Sequence, residues 1–499
     1  MNRPLRALIA QLHPSASAKS SDGPTRERRS AIGLQAALLS FIAVLGVALW
    51  QGGEPWVFPV DDAYITMHNA GALLAGHDDA FSVAPPYGAS SPLHLLLVTI
   101  ARLILSPTLA QFSVGMLGVA AYASGLLVLC RQASLGPIST AIIMLVGTVG
   151  GFAAYQLGNG LETGWAMAAV AWAIVLARRA PSRILACLCG LLPFVRPELG
   201  LLGATLLARQ FWLRRAAGRS SVLIDLVCAA VAAAPFAIWN IVELGSLLPN
   251  TVEAKRAYFA GEHTVLSLPP AQQAIILWAI GPPSLALLWA RNSSLKLALV
   301  AFAGGLIVAI AVTLPVALTF NLGRYLAVLI PIGAWGLTEV AHRPLAWKGI
   351  AALNLAWVVF SAPVELVAWR QETARTRDAL AVAAWTRTHL PPGSIVLVHD
   401  DGAIAEGSNL HLVDLVGLKS PLAAQINEEL TLPSKGARFG DAMAEIASSS
   451  RAQFAVIQHN APGSTIPRAL ALHGWGLVVL RAGAPTIGYD VYRLTPPLS

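Results

Sequence analysis

Charge is scarce in this chain. Asp, Glu, Lys and Arg make up 12% of its 499 residues, about half the share found in ordinary soluble domains. With 56% hydrophobic residues and a mean hydropathy of +0.62, that shortage excludes a typical soluble protein and points to an integral membrane protein. Cysteine is scarce too. Cys130, Cys187, Cys189 and Cys228 all lie in or beside apolar segments. The polar C-terminal part therefore has no disulfide framework, and no zinc-type pattern with histidines is present. That part also lacks a P-loop, a GxGxxG and a GxSxG, which removes the common nucleotide-binding and hydrolase signatures. No internal repeat of fixed period occurs. The formal net charge of +8 could point to nucleic acid, but most Lys and Arg fall in short clusters between apolar runs, as bilayer orientation requires.

Residues 1–30 form a polar, basic tail, and Ala31 to Trp50 is an apolar run of about twenty residues, enough to span a bilayer. No A-x-A-like cleavage site follows it, so it reads as a retained anchor with a cytoplasmic N-terminus. The stretch 62–76 has helical spacing but is too short and polar to span. Ser91–Leu105 is apolar but short. If it lies along the interface, Arg131 and four later basic loops (178–183, 209–219, 291–296 and 343–348) all fall on the cytoplasmic side. Further spans are expected at 109–130, 138–156, 164–177, 184–195, 199–213, 222–242, 271–290, 297–320, 325–341 and 349–364. The count is about eleven transmembrane helices plus two juxtamembrane helices, and the odd number puts the C-terminus outside. Pro193 and Pro197 mark a broken or tilted helix at 184–195.

Beyond about residue 371, an amphipathic helix is expected at Thr373–Leu390. Strands are expected at 394–398, 411–416, 453–458, 475–480 and 491–494, with a helix at 442–449. This alternation describes a small α/β domain. The chain divides into a cytoplasmic tail (1–30), a membrane domain (31–365) containing the first extracytoplasmic loop (51–108), and an extracytoplasmic α/β domain (366–499).

The topology gathers polar residues on the outer face. Asp61 and Asp62 sit at the mouth of the bundle, followed by His68. Either acid could be a helix cap, which accounts for one of them; the other is free to act as a general base on an acceptor hydroxyl. The metal reading of His77, Asp78 and Asp79 fits no standard spacing, and a solvated turn explains them. Arg196, Lys255, Arg256 and Arg324 are interfacial cations. Snorkelling explains an isolated Lys, whereas Arg196 sits at a helix break beside Glu198. Cations at this level suit the phosphate of a lipid headgroup. Glu162 either caps the next helix or joins this cluster.

The stretch Asp61-Asp62-Ala-Tyr-Ile-Thr through Gly76-His77 to Gly88-Ala-Ser-Ser-Pro92-Leu93 resembles the first extracytoplasmic loop of glycosyltransferase-C enzymes that use polyprenyl-phosphate sugars. It is closest to the terminal arabinofuranosyltransferase type, and more distantly similar to lipid A aminoarabinose transferases and protein O-mannosyltransferases. Asn159-Gly-Leu-Glu-Thr163, Arg196-Pro-Glu198, Leu248-Pro-Asn-Thr251 with Lys255, Arg324-Tyr325 and Asp414-Leu-Val-Gly-Leu418 follow in the same order. The resemblance covers about residues 31–420. It implies an inverting, metal-independent transfer in a bacterial inner (cytoplasmic) membrane. Asp61 would be the base and Asp62 its support. Lys255, Arg324, Arg196, His68, Glu162, Asn250 and Tyr325 would contact donor phosphate or substrate. No cofactor is implied beyond the lipid-linked sugar as co-substrate. The acceptor would be a glycan, lipid or protein. His68 departs from the family, whose members usually have Arg there, and Asp400-Asp401-Gly402 replaces a more usual single acid before Gly. Two other classes fit the hydropathy: a transporter or flippase of lipid-linked saccharide, against which the lack of repeats and of mid-bilayer charges argues, and a non-catalytic envelope assembly subunit.

Overall fold

The computed structural model describes Gly46 and residues 56–497, apart from 216–218, 248, 262–264, 266–267, 292, 401, 459–464 and 485–487. Apart from Gly46, the expected anchor at 31–50 and the basic tail lie outside the described residues. The first helices are α1 (Asp62–Ala75), α2 (Pro92–Arg102) and α3 (Pro107–Gln132). Each of α2 and α3 starts on a proline, whose fixed φ suits the first helical turn. At 11 residues, α2 is about 16 Å long, well short of a bilayer core of about 30 Å, so the apolar stretch at 91–105 is not a full-length span.

Next come α4 (Pro137–Val149), α5 (Ala153–Gly158), α6 (Thr163–Ala177), α7 (Arg183–Val195), α8 (Leu199–Arg214), α9 (Arg219–Leu244), α10 (Thr251–Tyr258), α11 (Pro270–Ile280), α12 (Ser293–Thr313), α13 (Ile330–Val340) and α14 (Pro344–His389). This is a multi-pass helical membrane protein. Among the described residues, four helices are long and apolar enough to cross a membrane alone, or five when α11 is joined to the 3-10 helix 282–289 across its 43° bend. Several of the eleven expected spans are thus short or broken. The segment 138–156 breaks between α4 and α5 at Gly150 and Gly151, and 271–290 breaks at Gly281. One side chain packs against both breaks: a Cβ on Gly150, Gly151 or Gly281 would collide with the Trp357 indole. Gly151 and Gly281 also adopt φ of 65° and 60°, which only glycine accepts readily. Short helices such as α6, buried along most of its length, pack inside the bundle and need not reach both of its surfaces.

A second difference concerns two expected helices. The expected last span and the amphipathic helix after it are one continuous helix, α14, of 46 residues, about 70 Å long. Pro363 does not interrupt it. The C-terminal domain follows, with β1 (Ile395–Val398), α15 (Gly402–Ala405), β2 (His411–Asp414), α16 (Pro421–Ile426), α17 (Phe439–Ser449), β3 (Phe454–Gln458), α18 (Ile466–Leu472), β4 (Gly476–Arg481) and β5 (Tyr489–Thr495). The sheet order is β2-β1-β3-β5-β4. β1 pairs in parallel with β2 and β3, and β5 runs antiparallel to β3 and β4. All five strands lie within about two residues of their expected positions.

The domain is fused to the first loop. Phe58, Tyr64 and Met67 share one apolar cluster with Trp369 of α14 and with Val396 and Val491 of the sheet. The free edge of β2 is closed by the loop, where Leu412 N donates to Ala80 O at 2.7 Å.

Candidate active site

Asp61 and Asp62 point to different partners. Asp61 precedes α1 but makes no side-chain cap on it. Its two carboxylate oxygens instead accept from the Gly402 and Ala403 amides of the α/β domain, at 2.8 and 2.7 Å. A Cβ on Gly402 would collide with the Asp61 carbonyl oxygen, so only glycine permits this approach. Burial, and next the charge of Asp400, push the Asp61 carboxyl up to about 7, although the two amides oppose the rise. Its proton affinity thus lies where a general base works best.

Asp62 faces the bundle. Arg324 Nη1 donates to its Oδ2 at 2.6 Å, and Arg324 Nη2 donates to Glu162 Oε1 at 2.6 Å. Arg196 Nε lies 2.6 Å from Glu198 Oε1 and 3.6 Å from Glu162 Oε1. The Arg196 guanidinium lies over the Tyr325 ring, 4.8 Å from its centroid. Burial opposes the charge on Glu162, but Arg324 and then Arg196 outweigh it and bring the carboxyl down to about 2. Five groups from four segments form one alternating chain of charge, as buried ions require.

Arg324 is aimed by an unusual backbone. Asn321 and Leu322 adopt φ of 48° and 59°, and Gly323 follows at 73°. Asn and Gly tolerate this region; Leu does so at a cost of roughly 1–3 kcal/mol. Gln156 steadies the kink by donating to the Asn321 carbonyl.

Two cavities meet at this chain of charge. One, about 390 Å³, is lined by Glu162 and by apolar α12 residues including Leu306 and Ile310. The other, about 200 Å³, lies under the α/β domain and is lined by Asp61, His399, Asp400 and Tyr489. Asp62, Lys255, Arg324 and Tyr325 line both and so form the wall between an apolar-sided and a polar chamber. A larger cleft of about 690 Å³, lined by Arg451, Trp475 and Arg493 among others, lies at the other end of β1 and contains none of these residues.

Three expected contacts sit elsewhere. His68 lines neither cavity; its Nε2 is 3.0 Å from Asp78 Oδ1. Lys419 Nζ reaches Asp78 Oδ2 and Asn69 Oδ1, each at 2.7 Å. His68 thus pairs within the first loop, and Lys419 ties that loop to the α/β domain. Burial works against the Asp78 charge, but His68 and Lys419 hold the carboxyl well below the usual range. Asn250 Nδ2 donates to Leu418 O at 3.2 Å and so joins α10 to the Asp414–Leu418 turn. Arg196 stands behind the wall, 2% exposed. The solvated pair His77 and Asp79 are 3.2 Å apart. No group of three or more His, Cys, Asp or Glu that could hold a metal ion occurs among the described residues. Sequence reasoning missed His399, Tyr489, Glu372 and Arg375 as lining residues. Asp400-Asp401-Gly402 was their one visible signal, and Asp401 lies outside the described residues.

The fold is similar to that of solved ArnT structures. The crystal structure of ArnT from Cupriavidus metallidurans bound to undecaprenyl phosphate matches 95% of this chain and 98% of its own, with a TM-score of 0.55 at 13% identity. The apo ArnT structure matches 91% and 97%, with a TM-score of 0.53 at 14% identity. Arabinofuranosyltransferase AftD from mycobacteria matches 92% of this chain and 41% of its own, at 15% identity and a TM-score of 0.43. Residues 366–492 match a domain of unknown function, DUF8728. No curated protein sequence matches.

Proposed function

We propose that this chain is a membrane glycosyltransferase that moves a sugar from a polyprenyl-phosphate donor to an acceptor hydroxyl, with inversion, on the non-cytoplasmic face of the membrane. The observation that carries the reading is the shared wall: a cation cluster separates an apolar-sided cavity from a polar one that holds the acid Asp61. The apolar side of α12 suits the prenyl chain. Lys255 and Arg324 suit the phosphate. That ArnT, which shares the fold, has been crystallised with undecaprenyl phosphate supports this donor class.

In this reaction the acceptor hydroxyl gives its proton to Asp61 as its oxygen attacks the anomeric carbon. The bond from that carbon to the phosphate oxygen breaks, and the polyprenyl phosphate leaves with the electron pair. The side-chain cations stabilise its developing charge, an effect worth about 10²–10³ in rate for one well-placed donor. Asp62 keeps Arg324 in register and Glu162 fixes its other nitrogen.

The test is binding of undecaprenyl phosphate to the full chain in nanodiscs, followed by native mass spectrometry. Wild type should bind, and Lys255→Ala and Arg324→Ala should each weaken binding at least tenfold. Equal binding by all three would remove the cations from the donor site. Mass spectrometry of lipid-linked sugars in a deletion strain should then show one accumulating donor and a glycan lacking one residue, which names the sugar.

A further inference from the structure

The polar chamber under the α/β domain has no ligand class assigned to it. Its cations and anions are largely engaged with one another. Asp62 holds Arg324. Arg375 Nη1 donates to Glu372 Oε2 at 2.7 Å. Asp400 Oδ2 accepts the Tyr489 hydroxyl at 2.5 Å, and Asp61 is held by two amides. The His399 ring stands apart from this pairing. His399 is 9% exposed and lines the chamber. Its Nδ1 lies 3.4 Å from Asp400 Oδ1, and neither ring nitrogen has a hydrogen-bond partner among the described residues. A buried ring nitrogen left unsatisfied is costly, so this position is suited to be met by something that enters.

We propose that this chamber is the acceptor subsite and that it takes one uncharged sugar ring, with His399 Nε2 bonding one ring hydroxyl while a second is presented to Asp61. The inference rests on the transfer reaction above and names its acceptor class. Three features select this ligand. The chamber's own charges are engaged with one another, and Lys255 and Arg324, which it shares with the apolar-sided cavity, are assigned to the donor phosphate, so little is left to balance a second phosphate or an ammonium group. Phe259, Phe320 and Tyr325 supply aromatic surface for the C–H faces of a ring, beside polar groups that read hydroxyls. The volume of about 200 Å³ lies below the ~300–1,000 Å³ of drug-sized pockets and admits a single ring. A glycan acceptor would therefore enter end-on with its terminal residue. His399 is then a specificity-determining residue supplied by the α/β domain.

Saturation-transfer NMR tests this on the full chain in nanodiscs loaded with undecaprenyl phosphate. The probes are methyl glycosides of common neutral pentoses and hexoses, with N-acetyl-serine methylamide as the peptide control. At least one glycoside should bind wild type. His399→Ala should weaken it about fivefold or more, the effect of one lost hydrogen bond near 1 kcal/mol. His399→Gln, which keeps a donor and an acceptor, should recover much of the loss. Undecaprenyl phosphate binding should stay within twofold in both variants. No glycoside signal with the lipid phosphate bound, equal glycoside binding by wild type and His399→Ala, or binding of the peptide control alone would each overturn the acceptor assignment while leaving the donor reading intact. Failure of the wild type to bind undecaprenyl phosphate would overturn the transfer reaction and, with it, this subsite.

Discussion

Asp61 is the residue on which chemistry and fold meet. Asp61→Asn should lower transfer by about 10²–10⁴-fold, the range for removing a general base, with membrane insertion and undecaprenyl phosphate binding retained; turnover near wild type would remove Asp61 from the role. The pH dependence has a definite sign. The base must be ionised, and its carboxyl is raised to about 7, so kcat/KM should climb as pH rises through about 7 and level off above it. Asp400 is the second cause of the raised value, after burial. Asp400→Asn should therefore move this limb to lower pH, and a limb that stays in place would show that Asp400 does not act on Asp61. The sequence made the acid pair conspicuous and assigned capping to one acid and function to the other. It could not show that the capped segment is 402–403, because residues 341 positions apart come together through tertiary packing, which no local pattern records.

At the scale of elements, the structure depends on a few close approaches. Gly402→Ala would force α1 and α15 apart at Asp61. It should cut transfer sharply while leaving α12 and its apolar cavity unchanged, so undecaprenyl phosphate binding should persist. Lys419→Ala would leave Asp78 buried without its cation, at a cost of roughly 3–5 kcal/mol, seen as a lowered thermal midpoint. Asp78→Asn combined with Lys419→Met should recover much of the loss, and a double variant no better than the single one would refute the ion-pair account. Sequence spacing found the strands well, because alternation and turn residues are local. It divided α14 in two because the polarity changes near residue 371 while the helical backbone does not, and composition reports solvent rather than hydrogen bonding. It missed the breaks at Gly150–Gly151 and Gly281 because Trp357, which packs against both, lies far along the chain.

For the whole molecule, hydropathy made the membrane class plain, and the order of weak motifs pointed to the fold. The number of full-length spans was not legible: several apolar segments are short helices buried by protein, and hydropathy does not distinguish a protein interior from lipid. The orientation can be read directly. The four native cysteines all lie in the helix bundle, so Ser448→Cys places a single accessible thiol on the α/β domain. An impermeant maleimide should label it in intact spheroplasts; labelling only after lysis would put that domain in the cytoplasm.

The amide cradle around Asp61 also sets an order in time. A ribosome delivers Asp61 early and Gly402 more than three hundred residues later, after the bundle helices have emerged. Until the last part of the chain has been translated and folded, the acid has no partner to hold it. A nascent or truncated chain that ends before residue 402 lacks both amides that hold the Asp61 carboxylate. If the proposed transfer is right, incomplete copies would be inactive, and synthesis of the C-terminal domain would be the step that completes the site.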